Sequence, residues 1–423
     1  MPILRVGSRG NDVMRVQALL EKMGYDPGPV DGIFGIQTEI AVKNFQRTNG
    51  LDVDGIIGAE TYRVLESFMR GYDDYTIKLG DTLYNIARRY GTQVYKIILA
   101  NPQIQPYGLI PGTTIKVPYS IDIVDTNINY TYDILENDLY ALKARYPFIN
   151  IGTTGKSVLG RELYYIKLGT GPNEVLYNGS HHSLEWITTP LLMKFAENII
   201  KAYTENRSIR DYNISDIWSR SSIYIIPMVN PDGVDLVLNG LQRSNPYYND
   251  LIQWNRGSTD FSRDWQANNR GVDINHNYDA GWQLSKDAEA SYGVYGPGPT
   301  RYSGPSPVSE PETKAVVDFT KSHNFRLVLA YHSQGEVIYW QYDGLTPPES
   351  RTIGNEFSRL SGYTLEETTG ISSYSGYKDW FIQEYRRPGF TIEVGRGVNP
   401  LPISQFDTIY NDNEELLILA SVI

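Results

Sequence analysis

The chain has 423 residues, a formal net charge of −11 and no cysteine. Its length fits two or three domains at roughly 150 residues each, and 41% hydrophobic with 21% charged residues is a globular, soluble composition. The acidic balance argues against a nucleic-acid partner, which needs a basic patch, and the missing cysteines exclude disulfides, thiolate metal ligands and thiol nucleophiles.

The N-terminus, "MPILRVGSRGNDVMRVQALL", lacks the basic start, apolar core and small-residue cleavage site of a signal peptide. No apolar run approaches the ~18 residues of a membrane span. Val16, Leu19, Leu20 and Met23 recur at helical spacing, and Gly24 is placed to end that helix. The phrase "DGIFGIQT" at 31–38 returns as "DGIIGAET" at 54–61, each time a glycine turn followed by a threonine at the mouth of an amphipathic helix. Ala41 and Phe45 carry the helical period after the first copy, and Tyr62, Leu65 and Phe68 after the second. A small three-helix domain over 1–70 is predicted. With its repeated phrase, the segment resembles the peptidoglycan-binding domain of cell-wall hydrolases along its whole length.

Residues 75–118 predict strand, helix, helix, strand. "YTIKL" alternates, "DTLYNIARRYG" puts Leu83, Ile86, Ala87 and Tyr90 on one face, "TQVYKIILANP" is a second helix and "TTIKVP" closes the unit. The order and the phrases "GDTLYNIA", "LANP" and "IPGTTIKVP" resemble a LysM module. That resemblance implies binding to N-acetylglucosamine-containing glycans through loops beside the helices.

From 125 to 423, apolar strands alternate with longer helices. "NEVLYNGS", "SSIYIIPMVN", "FRLVLAYHS" and "PGFTIEVG" are near-continuous apolar runs, the pattern of central strands covered on both faces. In such an α/β sheet the working residues gather at the strands' carboxyl ends. At 309–313, "SEPET" has the form of a helix start, with Ser309 as N-cap, Pro311 in the first turn and Glu312 completing a capping box.

The stretch "SHHSLEWITTP" at 180–190 sets two of the five histidines side by side. His182 and Glu185, three apart just after a predicted strand, share one face of a helical turn and can meet one ion. A catalytic zinc takes three protein donors and keeps a fourth position open. His332, ending the strand in "RLVLAYHS" and 147 residues after Glu185, is the natural third donor. His323 lies in the polar loop "KSHNF" and His276 within "VDINHNY", and both fit less well. Alone, a His-x-x-Glu pair is also what a solvated surface turn shows.

The ordered set "HSLEWIT", "NPDG", "VDINHN", "AYHS", "YSGYKDW" and "FTIEVG" spans nearly all of 125–423 and resembles the zinc carboxypeptidase family. The resemblance implies a doubly wound mixed α/β sheet, one Zn2+ held by His182, Glu185 and His332, and Glu393 as the catalytic carboxylate. His181 takes a non-ligand position, orienting a neighbour or simply packing. Exopeptidases of the family grip the terminal carboxylate and the oxyanion with arginines. Here Leu184, Gln266 after Trp265, and His276 after Asn275 stand where relatives carry them. A guanidinium fork is what reads a carboxylate bidentately, so Arg270, Arg396 and Lys378 are the candidate replacement cations. Tyr374, with Ile371 as the alternative, is the candidate substrate-capping position.

With the wall-binding segments and "TIEVGRGVNPLP", the layout resembles bacterial γ-D-glutamyl-L-diamino acid endopeptidases. That implies hydrolysis of the bond between D-glutamate and diaminopimelate in peptidoglycan stem peptides, at the cell wall or in a sporulation compartment. A carboxypeptidase trimming wall peptides is one alternative. A wall-binding protein with an inactive peptidase domain is the other.

Overall fold

The computed structural model describes residues 3–423 and divides into two compact units. One holds the described residues through Asn129 with Asp133–Ile149, and the other holds Tyr130–Tyr132 with Asn150–Ile423.

In the first unit, helices Asn11–Lys22, Ile36–Thr48 and Ala59–Met69 enclose Val13, Val16, Leu20, Phe34, Val42, Phe45 and Leu65. Gly24, at φ +83°, follows the first helix and bonds back to the Glu21 carbonyl at 2.9 Å, as the sequence predicts. The repeated phrase has a physical reason. Gln17, 1% exposed, donates to Asp31 Oδ1, the Ile33 carbonyl and Thr38 Oγ1 at 3.1–3.2 Å and accepts from Gly32 N at 2.8 Å. Gln46 repeats the set with Asp54, Ile56, Thr61 and Gly55 at 2.8–3.1 Å. Each eight-residue phrase therefore wraps one buried carboxamide, so its turn and its threonine recur together. The threonines lie inside the helices, whose N-caps are Gly35 and Gly58.

Strands β1 (Tyr72–Thr76) and β2 (Thr114–Pro118) pair antiparallel and flank helices Leu83–Arg89 and Val94–Ala100. Ile77, Leu83, Ile86, Ile97, Ile115 and Val117 form that segment's core.

The second unit is built on β3 (Asn150–Lys156), β4 (Glu162–Leu168), β5 (Asn173–Gly179), β6 (Ser208–Ile209), β7 (Tyr212–Asn213), β8 (Ser221–Ile226), β9 (Leu327–His332), β10 (Val337–Tyr339), β11 (Thr364–Glu366) and β12 (Gly389–Glu393). Strands β6 and β7 form a separate small hairpin. The others make one mixed sheet in the order β11-β10-β12-β9-β5-β8-β4-β3, with β8, β5, β9 and β12 mutually parallel at its centre. These four are the four apolar runs of the sequence, and β8 and β9 are buried at every residue.

One local expectation is overturned. Helix Pro311–Lys321 starts after Glu310, with no side-chain cap. Ser309 Oγ turns to Glu310 Oε1 at 3.0 Å. Glu312 is drawn inward, where Oε1 accepts from Val158 N at 2.9 Å and Oε2 from Asn268 Nδ2 at 3.2 Å. Buried backbone and amide donors from other segments outcompete the local box.

Candidate metal centre

Because β5, β9 and β12 are parallel neighbours, their carboxyl ends share one sheet edge. Gly179 is in register with Tyr331, and His332 with Glu393. Beyond β5 the chain turns at Ser180, whose φ is +51°. Thr188 Oγ1 fixes that turn, accepting from Ser180 N at 2.8 Å and donating to the Glu185 carbonyl at 2.9 Å. The single helical turn Ser183–Glu185 follows, with His182 at its start. Thus the edge of one sheet gathers the imidazole pair, the third donor and Glu393.

His182 Nδ1 lies 2.9 Å from Glu185 Oε1, and His332 Nδ1 lies 2.8 Å from Glu185 Oε2. The two Nδ1 atoms stand 3.3 Å apart. All three donors fall within 4.8 Å of one another, and Glu185 and His332 are buried. Two imidazole nitrogens facing each other need a shared proton or a cation. Nitrogens at the zinc–nitrogen distance of ~2.0–2.1 Å, set tetrahedrally around one centre, stand about 3.3 Å apart. The observed spacing matches, so the donor set fits a single zinc ion.

The surroundings orient these donors. Asp273 Oδ1 makes an ion-pair contact with His182 Nε2 at 3.2 Å, off the ideal hydrogen-bond line. Its other oxygen accepts from Arg301 N at 2.9 Å and faces Thr300 Oγ1 at 3.4 Å. Asn399 Nδ2 reaches Glu185 Oε1 at 3.5 Å and the Ser333 carbonyl at 2.5 Å. His181 is fully buried, and its Nε2 lies 2.9 Å from the Tyr278 hydroxyl, so it packs beside the centre while His182 faces it.

Burial and mutual charge set the electrostatics. Burial resists ionisation of Glu185, but His182 and His332 outweigh it and hold its carboxyl down at about 2. For His182, burial opposes the charge, and Glu185 and Asp273 overcome that to raise it well above an ordinary imidazole. Glu393 is pushed the other way. Burial, reinforced by the Glu185 charge, lifts its carboxyl well above the usual range. Glu185 and Glu393 thus favour opposite protonation states.

The remaining sequence candidates fall in distinct places. Gln266 accepts from Thr300 Oγ1 at 2.7 Å through Oε1, which leaves its Nε2 as the free donor. Its backbone carbonyl accepts from Ser183 N at 3.1 Å, tying the loop to the metal-centre turn. Asn275 Oδ1 accepts from Tyr377 N at 3.1 Å, again leaving the amide N–H. His276 is half-buried near Ser285 Oγ, and burial lowers its pKa despite Asp273. Tyr374 lies against Gly281, where a Cβ would come 2.9 Å from its ring. Ile371 is buried. Lys378 is 3% exposed and pairs with Asp379 and the Gln341 carbonyl, the latter at 2.8 Å. Arg270 faces Glu310 at 3.7 Å, and the exposed Arg396 pairs with Glu336. Both surface arginines are thus occupied by carboxylates. Sequence reading passed over Asp273, Asn399 and Arg301. The signal for Asp273 was an acid between Val272 and Ile274 in an apolar setting. Arg301, at φ +64°, holds Asp273 through its backbone, and its guanidinium lies 5.2 Å from the Tyr292 ring centre.

A family model described as zinc carboxypeptidase matches residues 135–416, a peptidoglycan binding domain model matches 9–65, and a LysM domain model matches 75–118. Over 290 residues the chain is 45% identical to gamma-D-glutamyl-L-diamino acid endopeptidase 1 of Lysinibacillus sphaericus, covering 69% of this chain and 72% of the relative. It is 35% identical over 290 residues to the uncharacterized protein YqgT of Bacillus subtilis (strain 168), covering 68% and 76%. The carboxypeptidase A structure from Helicoverpa armigera superimposes with a TM-score of 0.53 at 17% identity, covering 92% of this chain and 95% of that one. That last likeness is one of fold. No helix among the described residues is long and apolar enough to cross a membrane. With the first match covering well over half its length, the chain belongs to the zinc carboxypeptidase family, whose members use one zinc ion, and it is a zinc metallopeptidase.

Proposed function

We propose that this metallopeptidase hydrolyses peptidoglycan stem peptides at the γ-D-glutamyl–diaminopimelate bond. In this reading residues 1–70 and 75–118 hold the wall, and 125–423 carry the cut. The observation that carries the reading is the donor set around the centre. Where a terminal-carboxylate clamp needs guanidinium groups, Gln266 and Asn275 offer amide N–H donors, and burial favours neutral His276. An endopeptidase has no chain terminus to grip, so neutral donors suffice there. The relative from Lysinibacillus sphaericus, named for this activity, supports the same bond.

His182, Glu185 and His332 would hold the zinc ion. When bound, zinc supplies a Lewis acid that polarises the scissile carbonyl and makes water a stronger acid. Glu393, beside His332 at the sheet edge, takes a proton from the attacking water and passes it to the leaving nitrogen. Its raised pKa favours holding that proton between the two transfers. Gln266 Nε2 donates to the oxygen where negative charge develops. Asn275 Nδ2 donates to a neutral carbonyl of the substrate, and Arg301 meets a substrate carboxylate. Lys378, tied to Asp379 and the Gln341 carbonyl, is not free to meet a substrate carboxylate. The exposed groove lined by Tyr84, Pro106 and Tyr107 is the LysM surface offered to glycan. A matched pair of D-glutamyl–diaminopimelate dipeptides, γ-linked and α-linked, tests the bond. Zinc-dependent cleavage of the γ isomer alone is expected, and preference for the α isomer would overturn the proposal.

A further inference from the structure

Within the first unit, the three-helix and βααβ segments line an open cavity of about 550 Å3. Arg63, Arg70 and Arg89 line it, with Phe68, Tyr90 and Tyr119 as its apolar wall. Asp73 is the one carboxylate in the lining, and the Tyr90 hydroxyl donates to it at 2.7 Å. Arg70 and Arg89 pair with Asp74 and Asp81 at 3.6 and 3.7 Å, whereas Arg63 has no carboxylate partner among the described residues. The lining itself therefore carries three guanidiniums against one carboxylate, with Arg63 as its unpaired cation.

The walls are fixed without a ligand. The Tyr119 ring stacks on Phe68 at 4.2 Å, its hydroxyl lies 3.2 Å from Ser67 Oγ, and its N–H donates to the Gly71 carbonyl at 3.0 Å. Arg145 clamps the same junction, donating twice to the Gly71 carbonyl at 2.6 and 2.9 Å and once to Ile121 at 2.7 Å. Gly71, at φ +74°, leaves room for that guanidinium, which a Cβ would approach to 2.7 Å. Arg89 is braced by the Tyr75 hydroxyl at 2.7 Å, and Arg70 lies over the Tyr72 ring at 5.1 Å. Arg70 and Arg89, so braced, lose little freedom on binding.

The lining selects the ligand. Guanidinium forks read carboxylates and phosphates. A bare inorganic anion would leave a cavity of this volume mostly unfilled and its three aromatic rings unused. An organic body bearing carboxylates uses both. We propose that this cavity binds a carboxylate-bearing peptide. On the reading above, that peptide is the peptidoglycan stem, held at a place separate from the metal centre. Two sites for stems on one chain raise the local substrate concentration.

The test measures binding of the full chain, in a Glu393→Gln background that spares the stems, to three sacculus preparations. One carries stems but no wall phosphate polymer, one is glycan stripped of stems, and one retains both stems and phosphate polymer. Arg63→Glu, at an exposed residue, should weaken binding to the first about tenfold while leaving the second unchanged, and Arg63→Lys should recover most of it. Arg89→Ala, checked by its melting curve, should repeat the loss. Equal binding of Arg63→Glu and its parent to stem-bearing sacculi overturns the proposal, as does a loss confined to the preparation with phosphate polymer. A parent that ignores every preparation overturns the wall reading itself, together with this cavity's assignment.

Discussion

Replacing Asp273 should weaken zinc binding while leaving the three donor residues intact. Asp273 is 1% exposed, touches His182 Nε2 at 3.2 Å and is itself fixed by Arg301 N at 2.9 Å. A carboxylate behind a metal-binding imidazole fixes the ring and makes its far nitrogen a better donor, and losing such a partner costs about 10–100-fold in affinity. Each factor of ten is about 1.4 kcal/mol. Asp273→Asn keeps an oxygen near His182 and loses the charge, so it should fall at the tenfold end. Asp273→Ala loses both and should approach a hundredfold. Competition against a fluorescent chelator at fixed pH reads these constants, with metal-free melting curves as the folding control. If both variants hold zinc within about twofold of the parent, Asp273 does not support His182 and the account of the centre is wrong.

Glu393→Gln should keep stoichiometric zinc and lose about 10²–10⁴-fold in turnover, the usual span for a general base; retained activity by steady-state assay would assign the proton transfer elsewhere. Arg301→Ala should raise KM for a substrate with a free D-glutamyl carboxylate and spare kcat, with less effect on the carboxamide analogue; equal effects on both would remove Arg301 from recognition. Lys378→Met strands Asp379 in the interior and should cost about 3–5 kcal/mol in urea unfolding, so an unchanged midpoint would mean that the pair is not held as described. Burial lifts the Glu312 carboxyl from 4.5 to about 8. The folded state therefore binds this proton more tightly. The group's stabilising contribution is complete below about pH 4.5 and disappears as pH rises through about 8. Glu312→Gln should flatten the decline in unfolding free energy across that window, and parallel slopes would refute the burial argument.

Much of the fold was legible because its signals are local and periodic. The four apolar runs became the four parallel central strands, and His-x-x-Glu after one of them became a turn with both side chains facing inward. The repeated glycine–threonine phrase was visible, but its cause was not. Gln17 and Gln46 lie upstream of the phrases they organise, inside ordinary helical patterns. Long-range polar contacts left no pattern at all. Asn399 meets Glu185 across 214 residues, and Glu312 forsakes a favourable local cap for partners 154 and 44 residues away. Lys378 reads as a candidate cation for a substrate carboxylate, yet Asp379 and the Gln341 carbonyl take it into the core. Burial of a charge depends on which partners the fold delivers, and neighbours in sequence do not state that.

Purified protein given L-Ala-γ-D-Glu-mesoDAP-D-Ala, with and without chelator, should yield the two dipeptides L-Ala-D-Glu and mesoDAP-D-Ala by mass spectrometry, abolished by chelator and restored by zinc. Release of D-Ala alone would make the protein a carboxypeptidase and contradict the roles given to Gln266 and Asn275.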